Sequence, residues 1–181
     1  MRFTISSSSN DSIDTKYKDS AKHLLDYLVT IPNAELNWGS CSISIMGLCY
    51  ETFKNANLPI HGYTTSKYAD DIDNLPSADH KIFDTTYDLK KAILTDADVI
   101  IMLAGGTGTI SEFFGHLEEI RSNDANKVLV VWNEDHSFDS TLELVRDLVT
   151  RNFNNETIYN YFKVANNIDE FKNILKEKGK I

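Results

Sequence analysis

The chain has 181 residues, 41% of them hydrophobic and 25% charged, which is enough to bury one core without disulfides or metals. A formal net charge of -9 argues against a nucleic-acid polymer or an anionic membrane as partner, because either would be repelled. The two cysteines, Cys41 and Cys49, fit a reducing cytoplasm, and no stretch approaches the ~20 apolar residues of a membrane span.

Strands and helices alternate along the chain. Arg2 to Ser6 reads as a strand rather than a signal peptide, followed by the polar turn Ser7 to Asp11. From about Asp14 to Thr30, Tyr17, Ala21, Leu24, Leu25 and Leu28 recur with a helical period until Pro32-Asn33. Glu35 to Trp38 is a short strand closed by Gly39, and a helix covers about Ile43 to Ala56. A helix through both cysteines would hold them two turns apart, too far for a disulfide. Leu58 to Tyr63 is a strand, and the polar stretch Thr64 to Ser77, with Asp70, Asp71 and Asp73, is a solvated loop beside the site. Lys81 to Phe83 is a short strand and Tyr87 to Thr95 a helix.

The next segment carries the chemistry. Val99 to Leu103 is a run of five apolar residues, as in a strand buried on both faces of a parallel sheet. It enters the turn Ala104-Gly105-Gly106-Thr107-Gly108-Thr109, and a helix runs on to about Ser122. The glycines let backbone amides approach a ligand closely. The helix start aims free N–H groups and its positive dipole end at the same point, which suits an anion, most often phosphate. Glu112, one helical turn beyond Gly108, can reach a sugar hydroxyl or polarise a water. The segment lacks the Lys-Ser/Thr of a P-loop and the Gly-x-Gly-x-x-Gly spacing of a dinucleotide fold, so ATP hydrolysis and hydride transfer lose ground.

Lys127 to Trp132 is another buried strand, Ser140 to Arg151 a helix, Tyr161 to Val164 a last short strand, and Asn167 the N-cap of a helix ending near Lys178. Repeated strand–helix units imply a parallel sheet with helices on both faces, in a single domain spanning residues 1–181. Ligands then bind outside the carboxyl ends of the strands, which places Ser6 to Ser9, Gly39 to Ser42 and Gly105 to Thr109 on one rim. His23, His61, His80, His116 and His136 are scattered with no metal-ligand spacing and read as surface or structural. Met46 and Trp132 read as core, Ser111 as helix surface, and Glu118 and Glu119 as solvent-side.

The run Ala104 to Glu112 resembles the Pro-Gly-Gly-x-Gly-Thr-x-x-Glu signature of the Lonely Guy family, cytokinin-riboside-monophosphate phosphoribohydrolases long labelled lysine decarboxylases. The resemblance extends over nearly the whole chain. Ile5 to Ser9 takes the place of the family's opening Gly-Ser-Ser turn. Trp38-Gly39 through Ile45-Met46-Gly47 takes that of Gly-Gly-Gly and Gly-Leu-Met-Gly, and Tyr87 to Lys91 that of Met-His-x-Arg-Lys.

It implies a Rossmann-like three-layer α/β fold, a homodimer, and no metal or cofactor. The implied reaction is hydrolysis of the N-glycosidic bond of a nucleoside 5′-monophosphate, with AMP or a cytokinin riboside monophosphate as substrate. Glu112 would stabilise the charge developing on the sugar, with Lys90 assisting. Gly105, Gly106, Thr107, Gly108, Thr109 and Lys91 would hold phosphate, and Ser7, Ser8 and Gly39 would line the rest.

Three positions depart from the pattern. Ala104 replaces the proline, Gly39-Ser40-Cys41 replaces the glycine triplet, and Lys90 replaces the arginine. A lysine is a flexible point charge where arginine makes a planar bidentate contact. That change keeps open a second reading, a nucleotide sensor of the same fold without turnover. A deoxyribosyl transferase of related fold is disfavoured by the register of Glu112. Lysine decarboxylation would need pyridoxal phosphate on a Schiff-base lysine, for which the chain leaves little room. Asp88, in the histidine position, would pair with a neighbouring lysine or face water.

Overall fold

A computed structural model describes residues 1–123 and 127–181. Seven strands form one sheet: β1 (Arg2–Ser6), β2 (Glu35–Trp38), β3 (Ile60–Thr65), β4 (Asp79–Phe83), β5 (Val99–Met102), β6 (Val128–Trp132) and β7 (Lys163–Ala165). The helices are α1 (Thr15–Leu28), α2 (Ser44–Asn55), α3 (Thr86–Thr95), α4 (Thr107–Asn123), α5 (Asp139–Thr150) and α6 (Ile168–Glu177).

Each strand pairing is parallel, in the order β4-β3-β2-β1-β5-β6-β7. The alternation of side chains along a strand divides the core into two layers. Val99 and Ile101 of β5 pack with Leu24 and Leu28 of α1, Phe53 of α2 and Phe171 of α6. Ile100 and Met102 pack on the other face with Leu94 of α3, Phe113 and Leu117 of α4 and Val145 of α5. This is the expected three-layer, single-domain Rossmann-like fold.

The order of successive strands reverses between the parallel neighbours β1 and β5, with later strands laid down to one side as far as β4 and to the other from β5 on; the ends of β1 and β5 are in register at Ser6 and Met102. Such a switch point leaves a crevice between the diverging loops. Here the loops are tied together. The Leu103 amide donates to the Ser6 carbonyl at 2.9 Å, the Ser8 amide to the Ala104 carbonyl at 2.9 Å, and the Met46 amide to the Ser8 carbonyl at 3.2 Å.

Several local expectations change. The stretch read as a loop from Thr64 continues β3 to Thr65 and then forms a nine-residue 3-10 helix, Ser66–Asn74. Few apolar positions mark it, since none of its residues is buried. Helix α2 begins at Ser44, so Cys41 lies outside it in the preceding turn. The last strand runs from Lys163 to Ala165 rather than from Tyr161, because a 3-10 turn at Glu156–Asn160 precedes it. Asn167 does cap α6, accepting from the Glu170 amide at 2.9 Å.

Two glycines test the packing in opposite directions. A Cβ at Gly47 in α2 would collide with the Ser42 carbonyl, whereas one at exposed Gly115 in α4 meets nothing within 4 Å. Gly47→Ala should destabilise by about 1–3 kcal/mol, and Gly115→Ala should stabilise by up to about 1 kcal/mol. Urea unfolding of the two variants checks both signs.

Candidate functional site

The crevice at the switch point is a cleft of about 920 Å³, at the upper end of the range for small-molecule pockets. It crosses the carboxyl ends of four neighbouring strands. The glycine turn after β5 lies at one end, the serine turn after β1 in the middle, and Gly39 to Cys41 after β2 with the 3-10 helix after β3 at the other. At ~4.8 Å per strand the span from β5 to β3 is roughly 14 Å.

At the first end, Gly105, Gly106, Thr107, Gly108 and Thr109 all line the cleft, as expected. Helix α4 starts at Thr107, and its first i to i−4 bond runs from the Ile110 amide to the Gly106 carbonyl at 3.0 Å. The amides before it are left for a ligand, in the positive end of the helix dipole. The glycines differ in their reasons. A Cβ at Gly105 would overlap the Thr109 side chain, so Gly105 is needed for packing. At Gly106 and Gly108, which line the cleft, a Cβ meets nothing within 4 Å, so the packing of the chain does not require their bareness.

The middle is set by Glu112, Ser6, Ser7 and Ser8, all lining the cleft. Burial raises the Glu112 carboxyl above its ordinary range, while a hydrogen bond from Ser6 and the charge of Lys90 pull it partway back. Glu112 thus presents to the cleft a carboxyl whose charge is supported by Ser6 and Lys90 alone. The Lys90 ammonium donates to the Ser111 hydroxyl at 3.1 Å and does not itself line the cleft. Ser111 is exposed on the surface of α4, as expected, and there accepts from the lysine. Lys91 is exposed and does not line the cleft. Asp88 pairs with neither lysine. Its amide donates to Thr85 at 3.1 Å, and its carboxylate accepts from the Thr85 hydroxyl at 2.6 Å, an arrangement that caps α3.

At the far end Gly39 lines the cleft as expected, and Met46, read as core, lines it too. Ser40 stands where the resemblance has a glycine and adopts the left-handed conformation, φ 50°. Its hydroxyl is 3.0 Å from His80 Nδ1, and His80 Nε2 is 3.0 Å from the Leu75 carbonyl. A carbonyl only accepts, so Nε2 carries the proton and Ser40 donates to Nδ1. This relay holds the strained turn. Burial lifts the Cys41 thiol above its usual value, and the negative charges of Asp71 and Asp11 add to the effect.

Sequence reasoning missed Ser137, which reaches the cleft from the β6–α5 loop, and Tyr68 of the 3-10 helix. It also missed the burial of His116, one turn after Glu112. Burial first, and then repulsion from Lys90, hold this imidazole down to about 4, and its Nε2 has no partner among the described residues. Among the described residues no group of three or more His, Cys, Asp or Glu side chains is placed to hold a metal, and no helix is long and apolar enough to cross a membrane.

A doubly wound parallel sheet with a glycine turn and a helix N-terminus at its switch point defines a Rossmann-like α/β protein with a cleft at the carboxyl ends of its strands. Within that class, the chain belongs to the family described as possible lysine decarboxylase, whose model matches residues 46–175.

Solved structures of the same fold include the molybdenum cofactor binding protein of Rippkaea orientalis. It is 17% identical with a TM-score of 0.67, covering 97% of this chain and 95% of that one. The molybdenum cofactor carrier protein of Chlamydomonas reinhardtii is 14% identical with a TM-score of 0.64, covering 99% and 98%. DNA processing protein A of Streptococcus pneumoniae is 9% identical with a TM-score of 0.60, covering 95% and 60%. Likeness at such identity speaks for the fold, and function must be argued from the site. No curated protein matches the sequence.

Two outcomes follow. Gly108→Ala should leave the melting temperature unchanged or raised by a few degrees while weakening phosphate binding about tenfold, because the added methyl group meets no other residue and stands on the lining of the cleft. Calorimetric titration with ribose 5-phosphate measures the loss. The His116 ring should stay neutral down to about pH 4, as read by NMR. The unfolded chain takes up this proton first, so stability should fall as pH drops from 6.5 towards 4. The slope is on the order of 1 kcal/mol per pH unit and should be shallower in His116→Leu.

Proposed function

We propose that the protein hydrolyses the N-glycosidic bond of a nucleoside 5′-monophosphate to free base and ribose 5-phosphate. The observation that carries this reading is the position of Glu112, a partly buried carboxylate between the anion cradle of α4 and the open far end of the cleft. A ligand with phosphate at one end, sugar in the middle and base at the other matches that order. The amides of Thr107 to Thr109 hold the phosphate. Glu112, supported by Ser6, faces the sugar and stabilises the positive charge that grows as the bond to the base breaks. Water adds at the anomeric carbon, and its proton leaves with the base. Lys90, held by Ser111, sets the field around Glu112. AMP and cytokinin riboside monophosphates are the substrates that the resemblance suggests.

A second reading, binding without turnover, is favoured by one observation: among the described residues no lysine or arginine lines the cleft. It would parallel the molybdenum cofactor binding and carrier proteins of similar fold. The same observation weighs against lysine decarboxylation in spite of the family's description, because that chemistry needs a lysine to form the Schiff base.

Release of free base from a panel of nucleoside monophosphates tests the first reading. Wild type should yield base and ribose 5-phosphate in equal amounts, and Glu112→Gln should lose 100-fold or more in rate while still binding nucleotide. The rate should decline on acidification with a midpoint above that of an ordinary glutamate, since the ionised form acts. Binding with no release by wild type would favour the second reading.

A further inference from the structure

The 3-10 helix Ser66–Asn74 is long for its kind, since runs beyond three or four residues are uncommon. Residues three apart eclipse in such a helix, which puts Tyr68 and Asp71 one above the other on a single face. That face lines the cleft, whereas Asp70 and Asp73 of the same acidic run do not line it. The segment is held in place at its C-terminal end. Leu75 is fully buried, the Ser77 amide donates to the Tyr50 hydroxyl at 3.2 Å, and the relay from the Leu75 carbonyl through His80 to Ser40 fastens it to the turn after β2.

Tyr68 is nonetheless 54% exposed, a large aromatic ring left unpacked in a cleft. The Lys67 ammonium lies 5.1 Å from its ring centroid and makes the ring electron-poor, which suits stacking on a heterocycle. Asp71 contributes a carboxylate that only accepts hydrogen bonds when ionised. Asp71 lies near enough to Cys41, in the turn after β2, for its charge to reach that thiol.

We infer that this helix reads the base of the nucleotide, with Tyr68 as the stacking platform and Asp71 as the group that selects bases bearing an exocyclic amino group. The inference rests on the nucleotide reading above and gives it a specificity. An amino N–H meets the Asp71 carboxylate as donor to acceptor. A ring carbonyl in the same place sets oxygen against carboxylate and leaves both without a partner. Adenine and cytosine satisfy the site, and hypoxanthine and uracil do not. AMP against IMP, and CMP against UMP, are pairs matched in phosphate, sugar and ring size that differ at this group and at the ring nitrogen beside it, which carries hydrogen only in IMP and UMP.

Calorimetric titration with the four nucleotides and with ribose 5-phosphate reads binding whether or not turnover follows, with Glu112→Gln used where wild type consumes the ligand. Wild type should bind the amino member of each pair at least tenfold more tightly. Asp71→Asn, which offers both donor and acceptor, should bring that ratio below about threefold. Tyr68→Ala should weaken all four nucleotides about tenfold and leave ribose 5-phosphate unchanged. Equal binding of the paired nucleotides by wild type overturns the inference, as does a ratio that survives Asp71→Asn. In either case nucleotide binding itself still stands. If ribose 5-phosphate and all four nucleotides fail to bind, the inference falls together with the nucleotide reading.

Discussion

Three backbone hydrogen bonds at the ends of β1 and β5 govern the rest of the molecule. Leu103 to Ser6, Ser8 to Ala104, and Met46 to Ser8 join the glycine turn, the serine turn and the start of α2 into one rim. Without them the two loops would splay at the switch point, as loops on diverging strands do. With them, the amides of α4 and the carboxylate of Glu112 face a common space. The shape of that space is thus set by backbone bonds more than by side chains.

The electrostatics of the cleft follow from this arrangement. A chain with net charge -9 attracts a phosphate only where the local field is reversed, and the start of α4 supplies that reversal through peptide dipoles rather than side chains. Lysine and arginine are absent from the lining among the described residues, so only the Ser6 hydrogen bond and the charge of Lys90, outside the lining, draw the Glu112 carboxyl partway back towards its ordinary range. Its raised carboxyl and the depressed imidazole of His116 express the same condition, charge removed from water on one helix, with Lys90 as the cation they share.

Much of this was legible in the sequence. The apolar run Val99 to Leu103 followed by three glycines determined both a buried strand and the ligand end of the sheet, because strand burial and turn chemistry act locally. The strand–helix alternation gave the parallel sheet for the same reason. The 3-10 helix was not legible, since its residues make no buried apolar pattern and its position depends on His80, Tyr50 and Ser40 from elsewhere in the chain. The placement of Lys90 against Ser111 and the burial of His116 likewise come from packing α3 against α4, which residue spacing within one helix does not report. Ser137 enters the cleft from the β6–α5 loop, and Met46 from the first turn of α2, whose place is set by the bond of the Met46 amide to the Ser8 carbonyl. The parts of the site carried by backbone could be read in advance, and the parts carried by contacts between distant segments could not.

The pairing of β1 with β5 joins residues 96 apart in sequence, as the contact of the Arg2 amide with Asp98 also shows. The cleft therefore has no partial form. Neither half of the chain contains an anion cradle and a far wall together, and closing so long a loop is a slow step in folding. A ligand spanning β5 to β3 bridges the two halves of the sheet and binds only the completed domain. Its binding then stabilises the fold by an amount that grows with the logarithm of its free concentration over Kd, so in the cell the supply of such a ligand would govern not only the occupancy of the protein but its lifetime.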